Sequence, residues 1–166
     1  MKEIFERRSI RKYTDKQVSD ENIEKLLRAA MAAPSAGNQQ PWEFVVIRDR
    51  EILEGITKVH PYSQMLKEAQ LAIAVCADLD REKHVGYWQQ DCAAATQNLL
   101  IEAQYLGIGA VWLGIYPREE RVKGVTPLLG LPERVIPMAV ISIGYPAENK
   151  GSVDRYDKTR VHINRW

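Results

Sequence analysis

Two long apolar segments constrain the fold of this chain more than any other feature of its sequence. LAIAVCA, residues 71 to 77, and VIPMAVISIGY, residues 135 to 145, carry apolar side chains at almost every position. Because successive side chains of a strand point to opposite faces, such segments must be covered on both sides. The sequence therefore predicts two buried strands in a sheet that has helices packed against it.

The remaining chain supplies further elements of both kinds. Ser19 is the predicted N-cap of a helix over 20–32, and Pro34 stops that helix. Periodicity predicts the other elements: a helical turn within 2–7, strands near 43–48 and 109–115, helices over 50–58 and 85–106, and a short helix from near Pro117 that ends before Pro127. This pattern indicates one α+β domain over 1–166, with about four strands, flanking helices and an extended C-terminal arm.

The longest predicted helix, 85 to 106, is rich in alanine and apolar over much of its circumference. Such a helix fits the centre of a core. It fits a dimer interface equally well, because an obligate interface resembles a core cut in half. The two interpretations are compatible, and the sequence does not separate them.

Charge and cysteine usage narrow the class of protein. Lys+Arg 23 against Asp+Glu 22 gives a net charge of +1, whereas a dedicated nucleic-acid binder carries a basic excess. We therefore expect no nucleic-acid partner. No apolar window reaches the roughly 18 residues of a membrane span, and we expect no membrane partner either. Cys76 and Cys92 match no metal or redox spacing, which predicts buried thiols in a protein of the reducing cytoplasm.

A basic cluster, RRSIRKY at residues 7 to 13, is the first candidate binding motif. Arg7, Arg8 and Arg11 offer forked donors and Ser9 adds a hydroxyl, a combination suited to a phosphate. The alternative is a solvated basic face. DKTRVH, residues 157 to 162, raises the same alternatives for Lys158 and Arg160, which either complete that anion site or are solvated.

PSAGNQQPW, residues 34 to 42, is the second candidate motif. Its prolines bracket small and amide side chains, which predicts a rigid loop between a helix and a strand. Asn38, Gln39 and Gln40 can each donate and accept, as the polar edge of a heterocycle requires. The alternative is an ordinary turn between a helix and a strand.

Other kinds of site are not supported by the sequence. GIGAVWLGI, residues 107 to 115, lacks the third glycine of a dinucleotide fingerprint and leads from helix into strand, although Gly114 lets backbone approach a ligand closely. His60, His84 and His162 have no acidic companions at metal-ligand spacing, so we predict surface or packing roles and no metal. We find no nucleophile and base pair, and predict no catalytic side chain.

In this order, and together with QLAIAVCAD and VIPMAVISIGYP, the motifs resemble the FMN-dependent nitroreductase family over nearly the whole chain. The chain is short for that family, whose larger members carry an additional helical segment near the active site. The resemblance implies a nitroreductase-like α+β fold, with a central, mostly antiparallel sheet and an extended C-terminal arm. It also implies an intertwined homodimer that holds FMN at the subunit interface.

The resemblance further implies which residues bind FMN. Arg7 and Ser9 match phosphate contacts, and Arg11 matches a contact on the N1–C2 carbonyl side of the ring. Leu113 and Gly114 match a backbone turn beside the flavin, where an amide N–H forms a hydrogen bond to the flavin N5. The loop from Pro34 to Asn38 matches a segment that the other subunit supplies. The full implied set is Arg7, Arg8, Ser9, Arg11, Pro34, Ser35, Ala36, Asn38, Gln64, Leu113, Gly114, and the phosphate-closing pair Lys158 and Arg160.

The implied activity is that of an FMN-dependent NAD(P)H oxidoreductase. NADH or NADPH would donate hydride to flavin N5 and leave before a nitroaromatic, quinone or similar small acceptor takes the electrons. Such a ping-pong scheme needs no side-chain base. Two alternatives are an FMN enzyme of the same fold that acts on a specific metabolite, and a non-enzymatic flavin-binding module.

Overall fold

The computed structural model describes residues 2–166 and contains one four-stranded sheet. The strands are β1 (Trp42–Ile47), β2 (Leu71–Asp78), β3 (Gly109–Gly114) and β4 (Val135–Gly144), in the order β1-β2-β4-β3. All three pairings are antiparallel. The α-helices are α1 (Glu3–Glu6), α2 (Asp20–Met31), α3 (Arg50–Val59), α4 (Trp88–Tyr105) and α5 (Glu119–Leu128). The α+β class and the mostly antiparallel sheet are confirmed.

The two apolar segments form the central strands, and every residue of β2 is buried. Leu71, Ile73 and Val75 point into a core that includes α2 and α4. The alternate residues, Ala72 and Ala74 among them, point into a second core that includes α3 and α5. Burial on both faces explains why this strand reads as a continuous apolar run rather than an alternating one.

The helix ends show where local signals succeed and where they fail. The Ser19 hydroxyl accepts a hydrogen bond from the Asn22 N–H at 3.2 Å, which confirms the predicted cap. The long helix α4 begins at Trp88, later than predicted, because Gly86 adopts a φ of 90° outside the helical region. The prediction that α5 ends before Pro127 is wrong. Pro127 lies inside the helix and removes only the one hydrogen bond that its own N–H would have donated. The helical hydrogen bonds continue beyond it, since the Leu129 N–H donates to the Val125 carbonyl at 3.1 Å.

Cys76 and Cys92 are fully buried and free. Burial raises the pKa of each thiol to about 12, so both stay protonated and unreactive at neutral pH. Buried thiols are therefore confirmed. Within residues 2–166, no helix combines the length and apolarity needed to cross a membrane.

Candidate functional site

A basic cavity of about 280 Å³ lies beside the N-terminal motif. Its lining consists of Arg7, Arg8, Ser9, Arg11, Lys150 and Arg155. The motif is fixed against the sheet, because Ser9 forms a parallel bridge with Ala110 of β3 and the Ile10 N–H donates to the Ala110 carbonyl at 3.0 Å. The cavity therefore joins the start of the chain to the segment that follows β4.

The cationic side chains that line this cavity outnumber the carboxylates that pair with them. Burial, and then the nearby charges of Arg155 and Arg8, lower the pKa of Arg7. Glu148 lies beside the motif, accepting from the Arg11 N–H at 2.6 Å and pairing with Lys150 at 3.1 Å. Across residues 2–166, none of the arginines that line the cavity forms an ion pair. Such crowding of cations suits a dianionic phosphate.

The cations supplied by the tail differ from those suggested by the sequence. Lys158 and Arg160 lie in an exposed 3₁₀ turn, where Arg160 Nε is 3.2 Å from Asp157 Oδ2, and they do not line the cavity. Lys150 and Arg155 line it instead, and Lys150 Nζ donates to the Ser9 carbonyl at 2.8 Å. Sequence reasoning missed both residues because no periodicity fixes the path of this irregular segment.

The loop over 34–40 is held rigidly by one buried carboxylate of α4. The Ala36 N–H donates to Asp91 Oδ1 at 2.9 Å, and Gln39 Nε2 donates to Asp91 Oδ2 at 2.6 Å. Gln39 Oε1 also accepts from the backbone N–H groups of Lys83 and His84 at 2.8 and 2.9 Å. The buried Gln39 amide is thus used within the chain, and its predicted role at a heterocycle edge does not hold.

The other two amides of the loop stay at the surface. Asn38 and Gln40 are exposed, and Gln40 Nε2 donates to Asn38 Oδ1 at 2.9 Å. Pro34, Ser35 and Ala36 line an open and mainly apolar depression of about 350 Å³ together with residues of the first turns of α4. The loop therefore presents a preformed surface whose backbone is fixed from behind.

Within one chain, the two candidate motifs lie at opposite ends of α4. The loop is anchored to Asp91 in the first turn of the helix. Arg8 lies instead near the last turn, where it lines a small cavity with Gln104 and Gly107. At a rise of about 1.5 Å per residue, Asp91 and Gln104 are roughly 20 Å apart. The structure of a single chain does not bring the two motifs together.

The remaining predicted residues lie at the end of β3 and near α3. Leu113 is buried, and Gly114 borders open space, since a Cβ added there would meet no atom within 4 Å. The Gly114 carbonyl accepts from Arg121 Nη1 at 2.8 Å and contacts His60 Nε2 at 3.1 Å. Gln64 is exposed and donates to the Thr57 carbonyl at 3.3 Å. Sequence reasoning did not connect His60 or Arg121 with this strand.

Comparison with known proteins identifies the family. The model of the nitroreductase family matches residues 4–60 and 57–145. The chain belongs to the nitroreductase family. Among its relatives, a provisionally named NADH dehydrogenase/NAD(P)H nitroreductase of Methanothermobacter thermautotrophicus is 53% identical, over 98% of this chain and 85% of the relative.

Solved structures of nitroreductases share the fold closely. The FMN-dependent nitroreductase of Clostridium difficile is 32% identical with a TM-score of 0.91, covering 99% of this chain and 98% of that one. A provisionally named nitroreductase of Desulfovibrio desulfuricans, solved in complex with FMN, is 35% identical with a TM-score of 0.87, covering 99% and 96%. The agreement extends over nearly the whole of both chains in each comparison, so this chain shares the complete fold of these structures.

Proposed function

We propose that this protein is an FMN-dependent NAD(P)H oxidoreductase that reduces a small acceptor such as a nitroaromatic or a quinone. The observation that carries the proposal is the basic cavity at the RRSIRKY motif, whose arginines form no ion pair among residues 2–166, in a chain of nitroreductase fold. Nitroreductases of the same fold, from Clostridium difficile and Desulfovibrio desulfuricans, are named as FMN-dependent or as an FMN complex. The relative from Methanothermobacter carries NADH and NAD(P)H in its name.

The residues present fit the chemical groups of FMN. Arg7, Ser9 and Arg155 would hold the phosphate, because this part of the cavity combines forked cationic donors with a hydroxyl. Arg11 would face the N1–C2 carbonyl side of the ring, where a cation favours the reduced form. The open strip at Gly114, next to the buried Leu113, offers backbone without an obstructing side chain. Gln64 stays in the proposed set, as does the exposed pair Lys158 and Arg160, which the family resemblance implies although the pair does not line the cavity of its own chain.

The proposed site is formed by two chains. Within one chain the loop is anchored at Asp91, whereas Arg8 of the basic cavity lies beside Gln104, roughly 20 Å further along α4. A homodimer would place the loop of one chain, with Pro34, Ser35, Ala36 and Asn38, beside the cavity of its partner. The apolar depression at the N-terminal end of α4 supports such an interface, since it leaves apolar surface next to the loop.

The chemistry that FMN supplies when bound is two-electron exchange, first with NADH or NADPH and then with the acceptor. The side chains of the site contribute binding and charge, and the proposed set contains no general base. Arg11 would stabilise negative charge on the ring, while the rigid loop would limit which acceptors reach it.

One experiment tests this function. The purified protein is reconstituted with FMN, its visible spectrum is recorded, and NADH or NADPH is added without oxygen. We expect bleaching of the yellow colour and its recovery on adding a nitroaromatic or a quinone. A protein that takes up no FMN would overturn the proposal. A yellow protein that neither nicotinamide reduces would instead be a flavin-binding module or use another donor.

A further inference from the structure

One peptide carbonyl of the proposed site receives two donors from outside its own sheet. The Gly114 carbonyl, at the end of β3, is 2.8 Å from Arg121 Nη1 and 3.1 Å from His60 Nε2. His60 follows the C-terminus of α3, and Arg121 lies in the first turn of α5. Two helices thus converge on a single atom next to the open strip at Gly114.

The hydrogen bonds of the His60 ring define its protonation. The Tyr62 N–H donates to His60 Nδ1 at 3.2 Å, so the proton is on Nε2, which donates to the Gly114 carbonyl. Burial, and then the charge of Arg121, lower the pKa of His60, which keeps the ring neutral. Arg121 therefore supplies the positive charge of this cluster.

Arg121 is costly for the chain to keep in this position. Among residues 2–166 it forms no ion pair, and its Nε is buried without a hydrogen-bond partner. An unneutralised, half-buried guanidinium with an unsatisfied donor is unfavourable for stability alone. Its main direct contact with polar protein atoms is the Gly114 carbonyl and the adjacent His60 ring.

Gly114 is a residue whose backbone needs such restraint. Glycine has no Cβ to limit its dihedral angles, and the space that a Cβ would occupy is open. A carbonyl held by two donors cannot rotate freely, so the peptide group that joins Gly114 to Ile115 keeps one orientation. Fixed orientation matters where a backbone amide must meet a ligand atom.

We infer that His60 and Arg121 are positioning residues for the flavin: they fix the Gly114 carbonyl at the end of β3 and place one positive charge behind it. The inference rests on the proposed FMN function. Arg121 acts through Gly114 and the electrostatic field. The charge favours the reduced, more negative ring, and the fixed peptide favours binding.

Arg121→Met and Arg121→Lys test the inference, with Arg118→Met as the matched control. Arg118 is exposed at the N-cap of the same helix, and the described contacts give its side chain no hydrogen bond. FMN affinity is measured by fluorescence titration and the flavin midpoint potential by titration against redox dyes. Thermal unfolding of each apoprotein reports folding separately.

We expect Arg121→Met to bind FMN about tenfold more weakly and to have a more negative midpoint potential, while Arg118→Met stays within about twofold of wild type. Arg121→Lys should recover the potential more than the affinity, because lysine keeps the charge and loses the fork. A folded Arg121→Met that matches Arg118→Met in both readouts would overturn the inference and leave the proposed function intact.

Two further outcomes are also decisive. If Arg121→Met does not fold, Arg121→Lys and His60→Leu replace it, and wild-type affinity and potential in both would overturn the inference. A wild-type protein that takes up no FMN would overturn the proposed function and this inference with it. Weaker affinity and a shifted potential in a folded variant would support the positioning role.

Discussion

Arg7 is a residue whose role depends on the contacts that the fold gives it. In the sequence, the cluster around it taken by itself favours a solvated basic face. In the structure, the segment after β4 returns to it, so that Arg155 and Lys150 join the same cavity. The convergence of cations from both ends of the chain, without matching carboxylates, distinguishes a binding site from a solvated face.

At this scale we predict that Arg7→Ala and Arg155→Ala each weaken FMN binding. Loss of one charge-assisted hydrogen bond to phosphate costs about 1.5–3 kcal/mol, which corresponds to roughly ten- to hundredfold in Kd. Fluorescence titration of the apoproteins measures the effect. Arg165→Ala is the control, because Arg165 is exposed in the tail and outside the cavity lining. Equal Kd values for FMN in all three variants would contradict the proposal that this cavity binds the phosphate.

Asp91 is the residue on which the 34–40 loop depends. Asp91→Ala would leave the Ala36 N–H and the buried Gln39 amide without their acceptor. We expect a loss of at least about 1–3 kcal/mol in the free energy of unfolding, and faster hydrogen exchange at Ala36. Urea unfolding and exchange measurements test this. Gln97→Ala, at an exposed position of the same helix, should change neither, and an unchanged Asp91→Ala would contradict the anchoring role.

At the scale of elements, α3 and α5 approach each other closely through two glycines. A Cβ on Gly124 would lie 2.8 Å from Val59 Cβ and Cγ1. A Cβ on Gly55 would lie 3.0 Å from Leu128 Cδ2, the far end of a flexible side chain. These helices cover one face of β2, and their spacing also sets the positions of His60 and Arg121.

Gly124→Ala should therefore lower the free energy of unfolding, whereas Gly55→Ala should leave it unchanged or raise it. Alanine gains about 1 kcal/mol of helix propensity at either position. At Gly124 the stiff, β-branched Val59 cannot yield, and overpacking of about 1–3 kcal/mol outweighs that gain. At Gly55 the leucine can move, so stability should stay level or rise. The urea unfolding midpoints of the two variants and the wild type test this prediction. A Gly124→Ala variant more stable than the wild type would contradict it, because α3 and α5 would then separate at little cost in free energy.

At the scale of the whole molecule, the length of α4 has a consequence for assembly. The loop is anchored at one end of this helix, and Arg8 of the basic cavity lies near the other end. If both contact one FMN, they come from different chains. A chain carrying Arg7→Ala and a chain carrying Asn38→Gly should then complement each other, since the hybrid retains one intact cavity facing one intact loop.

We predict that hybrid dimers of these two variants recover wild-type FMN affinity at half of their sites. Glycine at position 38 keeps the backbone φ of 55° accessible while removing the amide. Differently tagged chains are co-expressed, the hybrid is purified through both tags, and FMN is titrated. The parent variants, each with weak sites only, are the controls. A hybrid as weak as its parents, or a monomer by light scattering, would contradict a shared site.

Features that depend on near neighbours in the chain could be predicted from the sequence. The continuous apolar character of residues 71–77 required a strand covered on both faces, and the Ser19 hydroxyl required only a backbone three residues away. The ordered motifs likewise indicated the nitroreductase family and its antiparallel sheet. Side-chain period and capping act over a few residues, so a linear pattern contains them.

The contacts between distant and irregular segments could not be predicted from the sequence and are revealed by the tertiary structure. It assigned Gln39 to Asp91 rather than to a ligand, and it brought Lys150 and Arg155 to the cavity instead of Lys158 and Arg160. It also joined His60 and Arg121 at one carbonyl. Such partners are separated by long stretches of chain, and their meeting depends on how the sheet and helices pack, which no local period records.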